Sequence, residues 1–270
     1  MRAFKLTPLL GACCLALAMA AHHAPAQAGR SCETRPLDAQ SFGMGLQLAQ
    51  RTAQALDASG AQVVVLARAG QDLRKYKLHY SHLGIAYKGD DGAWRVVHKL
   101  NQCGSARASI NSQGLGEFFL DDLWRYEAAY AVPSPAVQLK LLGLVKGPPR
   151  AQLLRVNEPA YSVVSYAWGQ KYQQSNQWVI ETMALAMEPS GVDSRTRAQA
   201  WLQFKGYEPS TITLGPLTRL GGRISSANVA FDDHPNEKRF SDRIETVTAD
   251  SVFSWLTRSR LAAPPVALCL

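Results

Sequence analysis

Two runs alternate apolar and polar positions with the period of a half-buried strand: Tyr80 to Tyr87 and Trp94 to His98. Between them, Lys88-Gly89-Asp90-Asp91-Gly92-Ala93 is rich in turn residues. A turn centred on Asp90 gives cross-strand partners whose numbers sum to 180, so Tyr87 faces Ala93 and His82 faces His98. Both histidines then share one face of a hairpin. Leu83, Ile85 and Tyr87 form the opposite face, which reads as core. Gly84, beside His82, leaves room for a close approach.

The same patterning places other elements around this hairpin. Apolar residues at helical spacing run from Ser41 to Ala58, and Val63 to Ala67 is a short, fully apolar run of the buried-strand kind. Asn101 to Gly116 is polar and glycine-rich, read as a connection. Helices are expected at Glu117 to Tyr126 and Val137 to Val145, the second stopped by Gly147-Pro148-Pro149. Tyr161 to Tyr166 reads as a strand, Ser175 to Met187 and Ser194 to Phe204 as helices, and Ile224 to Phe231 as extended. Ile244 to Thr248 reads as a strand, followed by a helix capped by Asp250 and a loose tail from about Leu261. Strands and helices mix without βαβ regularity, so the expected class is α+β.

Composition narrows the setting. A basic start with Arg2 and Lys5, an apolar run from Leu9 to Ala21 and the small-residue box Ala26-Gln27-Ala28 read as a secretory signal over residues 1–28. Residues 29–270 then form one domain, with no transmembrane anchor expected in the mature chain. The whole chain carries +8; without the signal, 27 basic side chains stand against 21 acidic ones, a charge of +6. The basic residues are scattered, which argues against nucleic acid as a partner. The expected location is exported, either periplasmic or secreted. Of the cysteines, Cys32, Cys103 and Cys269 remain in an oxidising compartment, and Cys32 with Cys103 or Cys103 with Cys269 are the candidate pairs.

Four side chains are candidates for chemistry. Two imidazoles on facing strands allow one to act as a base and the other to orient it. Ser175 opens a helix, where backbone N–H groups favour a developing negative charge, although serine is also a favoured helix cap. Cys103 is the only mature thiol near the histidines in sequence, five residues past His98. Tyr80, Asn176 and Gln177 flank these positions as candidate binding residues. Asp232-Asp233-His234 is the one loop with metal-ligating residue types, but contiguous residues before Pro235 poorly surround an ion, so no metal and no cofactor are expected.

Tyr80-Ser81-His82-Leu83-Gly84-Ile85-Ala86 resembles the histidine strand of papain-like, NlpC-type hydrolases in their circularly permuted branch. There a polar residue on the next strand orients the histidine, as His98 would, and the nucleophile opens a later helix. Ser175-Asn176-Gln177-Trp178-Val179 is similar to that helix start, 93 residues after His82. The mature chain also resembles an uncharacterised family of exported bacterial proteins, domain-of-unknown-function family 2145. The segments that carry this are Tyr80-Ser81-His82, His98-Lys99-Leu100-Asn101, Gly114 to Phe119, Asn176 to Val179 and Asp232 to Pro235.

The resemblance implies a papain-like, permuted core with an antiparallel sheet packed against helices. It also implies a hydrolase or acyltransferase acting on an amide or ester of an envelope peptide or lipid, with Ser175 as nucleophile, His82 as base and His98 as orienter. This sequence departs from the superfamily at one atom, offering oxygen at Ser175 where sulfur is the rule. A hydroxyl needs a base poised to take its proton during attack, whereas a thiol ionises near neutrality. Three readings stand side by side: a working serine nucleophile, a catalytically degenerate envelope binding protein that keeps the cleft, and a thiol hydrolase that uses Cys103.

Overall fold

The computed structural model describes residues 37–121, 123–146 and 151–270. The signal-like segment, Cys32 and the Gly147-Pro148-Pro149 stop lie outside the described residues. The fold is α+β, built on a six-stranded antiparallel sheet. In chain order its strands are β1 (Val63–Arg68), β2 (His82–Lys88), β3 (Trp94–Asn101), β4 (Ala108–Gly114), β5 (Glu127–Ala131) and β8 (Val266–Cys269). In space they lie as β4-β3-β2-β1-β5-β8. A second sheet pairs β6 (Ser210–Thr213) with β7 (Arg243–Thr246).

Side chains alternate between two cores, one on each face of the main sheet. Val64, Leu66, Ala86 and Val96 face α1 (Ala39–Ala58) and the short α2 (Leu115–Phe119), packing on Leu48, Leu56, Phe118 and Phe119. Val63, Val65, Leu83, Ile85 and Val97 face the larger core. That core holds α3 (Pro135–Lys146), α5 (Ser175–Met187) and α6 (Arg195–Phe204), with α4 (Ala151–Leu154) beside them. The helix α9 (Ala249–Arg258) closes this side, after α7 (Pro216–Ser225) and α8 (Asn236–Arg239). Helix α5 is buried from Ser175 to Ala186, so it runs through the core rather than over it.

Several expectations from the sequence need correction. The hairpin pairs Tyr87 with Arg95 and Ile85 with Val97, sums of 182, so its turn centres on Asp91. Gly92 sits at φ +81, the left-handed conformation that costs glycine least, and Gly89 N–H closes on the Ala93 carbonyl at 2.8 Å. The polar passage before Gly116 contains β4, an edge strand whose polar side chains disguise it. The expected helix from Glu117 to Tyr126 stops at Phe119, and the alanine-rich Glu127–Ala131 is a strand against β1.

Further along, Tyr161 to Tyr166 is irregular rather than extended. Ser162 and Ser165 turn their hydroxyls to the Ala230 carbonyl and to Gln177, which competes with a ladder. The stretch expected to be extended from Ile224 to Phe231 begins inside the unforeseen helix α7 and continues as irregular turns. Helix α9 is capped by Thr248, whose hydroxyl accepts from Ser251 N–H at 3.0 Å, while Asp250 lies in its first turn. The tail expected to be loose ends in β8, which pairs with β5 at the sheet edge.

Candidate functional site

The site forms where β2 and β3 part. Their ladder runs from Lys88–Trp94 to Ile85–Val97. Beyond it, Leu83 N–H donates to Asn176 Oδ1 at 2.8 Å, and Asn176 Nδ2 donates to the Ser81 carbonyl at 3.4 Å. Asn176 therefore clamps the N-terminus of α5 to the β2 backbone on either side of His82. Gln177 makes the second clamp, donating to the Tyr166 and Ala167 carbonyls at 3.2 and 3.0 Å and accepting from Ser165 Oγ at 2.9 Å. Both side chains are buried and engaged within the protein. Tyr80 is half-buried beside Phe253, with its hydroxyl 3.5 Å from the Ala128 carbonyl.

The helix cap is Gln174. Its side-chain oxygen accepts from Asn176 N–H at 2.8 Å, which puts Ser175 at the first helical position and leaves its hydroxyl out of the capping role. That hydroxyl lies 3.1 Å from His82 Nδ1. His82 Nε2 lies 2.9 Å from His98 Nδ1, and His98 Nε2 lies 2.8 Å from Gln113 Oε1. Four side chains from three strands and one helix thus form a single file: Ser175, His82, His98, Gln113.

Gln113 gives the file a direction. A carbonyl oxygen only accepts, so His98 carries its proton on Nε2 and presents a lone pair at Nδ1. His82 then donates from Nε2 and presents a lone pair at Nδ1, facing the Ser175 hydroxyl. Burial pulls the His98 pKa down to about 4, and the positive charge of Arg68 adds to this. His98 is thus a neutral imidazole near pH 7. The Phe118 ring covers both imidazoles, with centroids at 6.0 Å from His82 and 5.2 Å from His98, and the Arg68 guanidinium stacks on it at 4.7 Å. Arg68 is itself paired with Asp121. This apolar cover keeps water from the inner end of the relay.

Two residues at the site, Gln113 and Tyr161, carry little signal in the sequence. Gln113 was hidden by the loop-like composition of β4; Ile110 among alternating polar residues was the only strand signal. Tyr161 is a buried phenol beside Ser175, and burial raises its pKa to about 12. Tyr161 lies on an irregular segment that reaches back to Ala106 and no periodicity marks it.

Behind the site, Lys99 is fully buried on the opposite face of β3 from His98. Its ammonium donates to Gln173 Oε1 at 2.7 Å and Asn157 Oδ1 at 3.0 Å, and burial lowers its pKa to about 7, with Arg195 contributing. Gln173 bonds to Glu181, which Arg195 Nε meets at 2.9 Å and Gln199 at 2.8 Å. This network ties the strand behind His98 to the segment that leads into Ser175.

Cys103 is disulfide-bonded. It has no thiol to act as a nucleophile, which removes the reading built on it. Its partner is not Cys269, which is free and exposed, and lies outside the described residues. His234 Nδ1 meets Asp233 Oδ1 at 2.9 Å, and the other Asp233 oxygen accepts from Tyr166 N–H at 2.8 Å, so this pair braces the loop before α5. Among the described residues, no three His, Cys, Asp or Glu side chains gather as a metal site, and no helix is long and apolar enough to cross a membrane.

The chain belongs to a bacterial family of undetermined role, described as "Uncharacterized protein conserved in bacteria (DUF2145)", which matches residues 55–256. That span contains the sheet strands β2 to β5, the whole relay and the buried Lys99 network. No curated protein and no solved structure matches the chain.

Proposed function

We propose that this chain is an exported, papain-like hydrolase or acyltransferase with a permuted NlpC-type core, acting on an amide or ester of the cell envelope. The observation that carries the reading is the file from Ser175 Oγ through His82 to His98 and Gln113, with a lone pair of His82 aimed at the hydroxyl at 3.1 Å. In the reaction Ser175 Oγ bonds to the substrate carbonyl carbon as its proton passes to His82 Nδ1. Of the first N–H groups of α5, that of Asn176 is taken by Gln174 Oε1, and those of Ser175 and Gln177 are the ones that would stabilise the oxyanion. His82 then protonates the departing amine or alcohol, leaving an acyl ester on Ser175. Water, or an acceptor amine or hydroxyl, deprotonated by His82, releases the acyl group.

A second reading, a non-catalytic envelope binding protein, is favoured by two features of the same relay. It ends on the neutral amide of Gln113 rather than on a carboxylate, so the imidazolium formed on His82 gains less stabilisation than in a Ser-His-Asp arrangement. Ser175 is also only 4% exposed. A fluorophosphonate probe separates the readings. Labelling of the wild type at Ser175, absent in Ser175→Ala, is the expected result for the enzyme; a wild type that labels no faster than Ser175→Ala sinks it. A Ser175→Cys variant treated with iodoacetamide near neutral pH adds a second measure, with the exposed Cys269 as internal reference. Alkylation at position 175 faster than at Cys269 is expected of a site that activates a thiol.

A further inference from the structure

The lobe between α6 and α9 carries a surface that the relay does not use. Leu214, Phe231 and Ile244 anchor it from inside. Outside, α7 presents Leu217, Leu220 and Ile224 at spacings of three and four, one stripe of a helix, and they are 85%, 55% and 74% exposed. Phe240, just after α8, is 78% exposed. Between α7 and the Arg239–Asp242 segment lies a cavity of about 320 Å3, whose walls include Leu220, Arg219, Arg223, Arg239 and Phe240.

The three arginines are held differently. Arg219 is fixed, stacked on Phe231 at 4.4 Å and bonded to the Ser241 and Arg239 carbonyls. Arg223 is exposed, and Arg239 lies partly exposed against Phe240 at 5.4 Å. Of the two acids on the cavity wall, Asp232 is paired with Lys171 and Asp242 is exposed at the rim. Burial lowers the pKa of Arg219, and the nearby charges of Arg223 and Arg239 add to this, so the three guanidiniums stand close together.

We propose that α7 and Phe240 dock this protein on an anionic phospholipid bilayer, with Leu217, Leu220, Ile224 and Phe240 in the acyl boundary and Arg223 and Arg239 on headgroup phosphates. A short amphipathic helix with an exposed apolar stripe beside arginines has the composition of an interfacial element. Four apolar side chains fall well short of the roughly 20 to 30 residues a side of a stable protein interface, which argues against a second copy of the chain. This inference goes beyond the hydrolase reading and stands whether or not Ser175 reacts.

Hydrogen exchange on the full chain tests it locally. Vesicles of phosphatidylcholine with phosphatidylglycerol should protect amides of 216–225 and 239–242, and pure phosphatidylcholine vesicles should not. Raising salt should weaken the protection. In vesicle flotation, Leu217→Ser with Ile224→Ser should lower the partition coefficient by about tenfold, because two exposed apolar anchors are lost. Both side chains face solvent, so the variant should keep the melting temperature of the wild type. Absence of protection with the anionic vesicles would overturn the proposal. So would equal protection by neutral vesicles, or protection that grows with protein concentration without vesicles, the mark of a second copy.

Discussion

Gly84 lies beneath the path that His98 takes to His82. A Cβ built on Gly84 would come within 3.2 Å of His98 Cβ and 3.3 Å of the Val97 carbonyl oxygen, and it would overlap Val96 Cγ1. The observed register, continued one step, sets Gly84 opposite His98 and leaves His82 on the diagonal. The two rings therefore meet by crossing over the glycine, with centroids 5.1 Å apart and planes at 79°. The absence of a side chain at position 84 is what gives one imidazole access to the other.

Gly84→Ala should accordingly damage both stability and the relay. Overpacking of this kind costs about 1–3 kcal/mol, read as a lower urea midpoint with unchanged slope. Fluorophosphonate labelling of Ser175 should fall further than that stability loss explains, since His98 must move away from His82. A variant with unaltered stability and labelling would mean that the strands yield at no cost.

Gln113 sets which nitrogen of each histidine carries a proton. Gln113→Leu leaves His98 Nε2–H buried with no acceptor, at a cost of about 1–3 kcal/mol, and it releases the tautomer that aims His82 Nδ1 at Ser175. Labelling should slow by about tenfold or more. Gln113→Glu should act in the opposite direction. A carboxylate at the end of the file stabilises positive charge on the imidazoles, so labelling should quicken and the His98 pKa should rise above about 4. An equal response to Leu and Glu would remove Gln113 from the relay and leave it as packing.

The sequence displayed one half of this site better than the other. The strand signal around His82 and His98 is strong because β2 and β3 lie in the middle of the sheet, with a core on each face that fills them with apolar residues. The register lies two residues from the one that a turn centred on Asp90 gives, because the left-handed Gly92 shifts the turn. An even shift keeps every side chain on its face, so the histidines still met. Gln113 was invisible because β4 is an edge strand with polar side chains, which composition cannot tell from a loop. The cap lies one residue before the serine that composition favours, because Gln174 takes that place in the fold. Helix α7 escaped notice because Gly221 and Gly222 sit in its interior, where glycine is a poor helix former. The Lys99 network joins residues almost a hundred positions apart, a pairing that no local pattern encodes.

That network makes Glu181 a point of fragility. Glu181 is fully buried and accepts from Arg195, Gln199 and Gln173. Glu181→Ala strands the guanidinium of Arg195 in the core, and breaking a buried pair from one side costs about 3–5 kcal/mol. Because Gln173 lies two residues before Ser175, the segment entering α5 should loosen as well. Chemical denaturation measures the first effect, and amide exchange over residues 170–177 the second. A loss below about 1 kcal/mol would show that the cluster is solvated and the pair weak.

His98 predicts a particular acid response. Its folded pKa of about 4 lies below its ordinary 6.5, so between those values the unfolded chain holds a proton there that the folded chain does not. Stability linked to this group is fully present above pH 6.5 and declines as the pH falls towards 4. The shift corresponds to about 3 kcal/mol, and His98 is fully buried, so solvent screening takes little from it. Replacing the titrating ring by His98→Gln removes this term and leaves the other acid-sensitive groups in place. Denaturation at pH 7 and pH 4 should therefore show the wild type losing about 3 kcal/mol more than the variant over the same interval. Parallel losses in the two proteins would mean that the imidazole takes up its proton within the folded state. The relay would then take up positive charge as the pH falls through about 6.5, and His98 would act as a neutral acceptor beside His82 only above that pH.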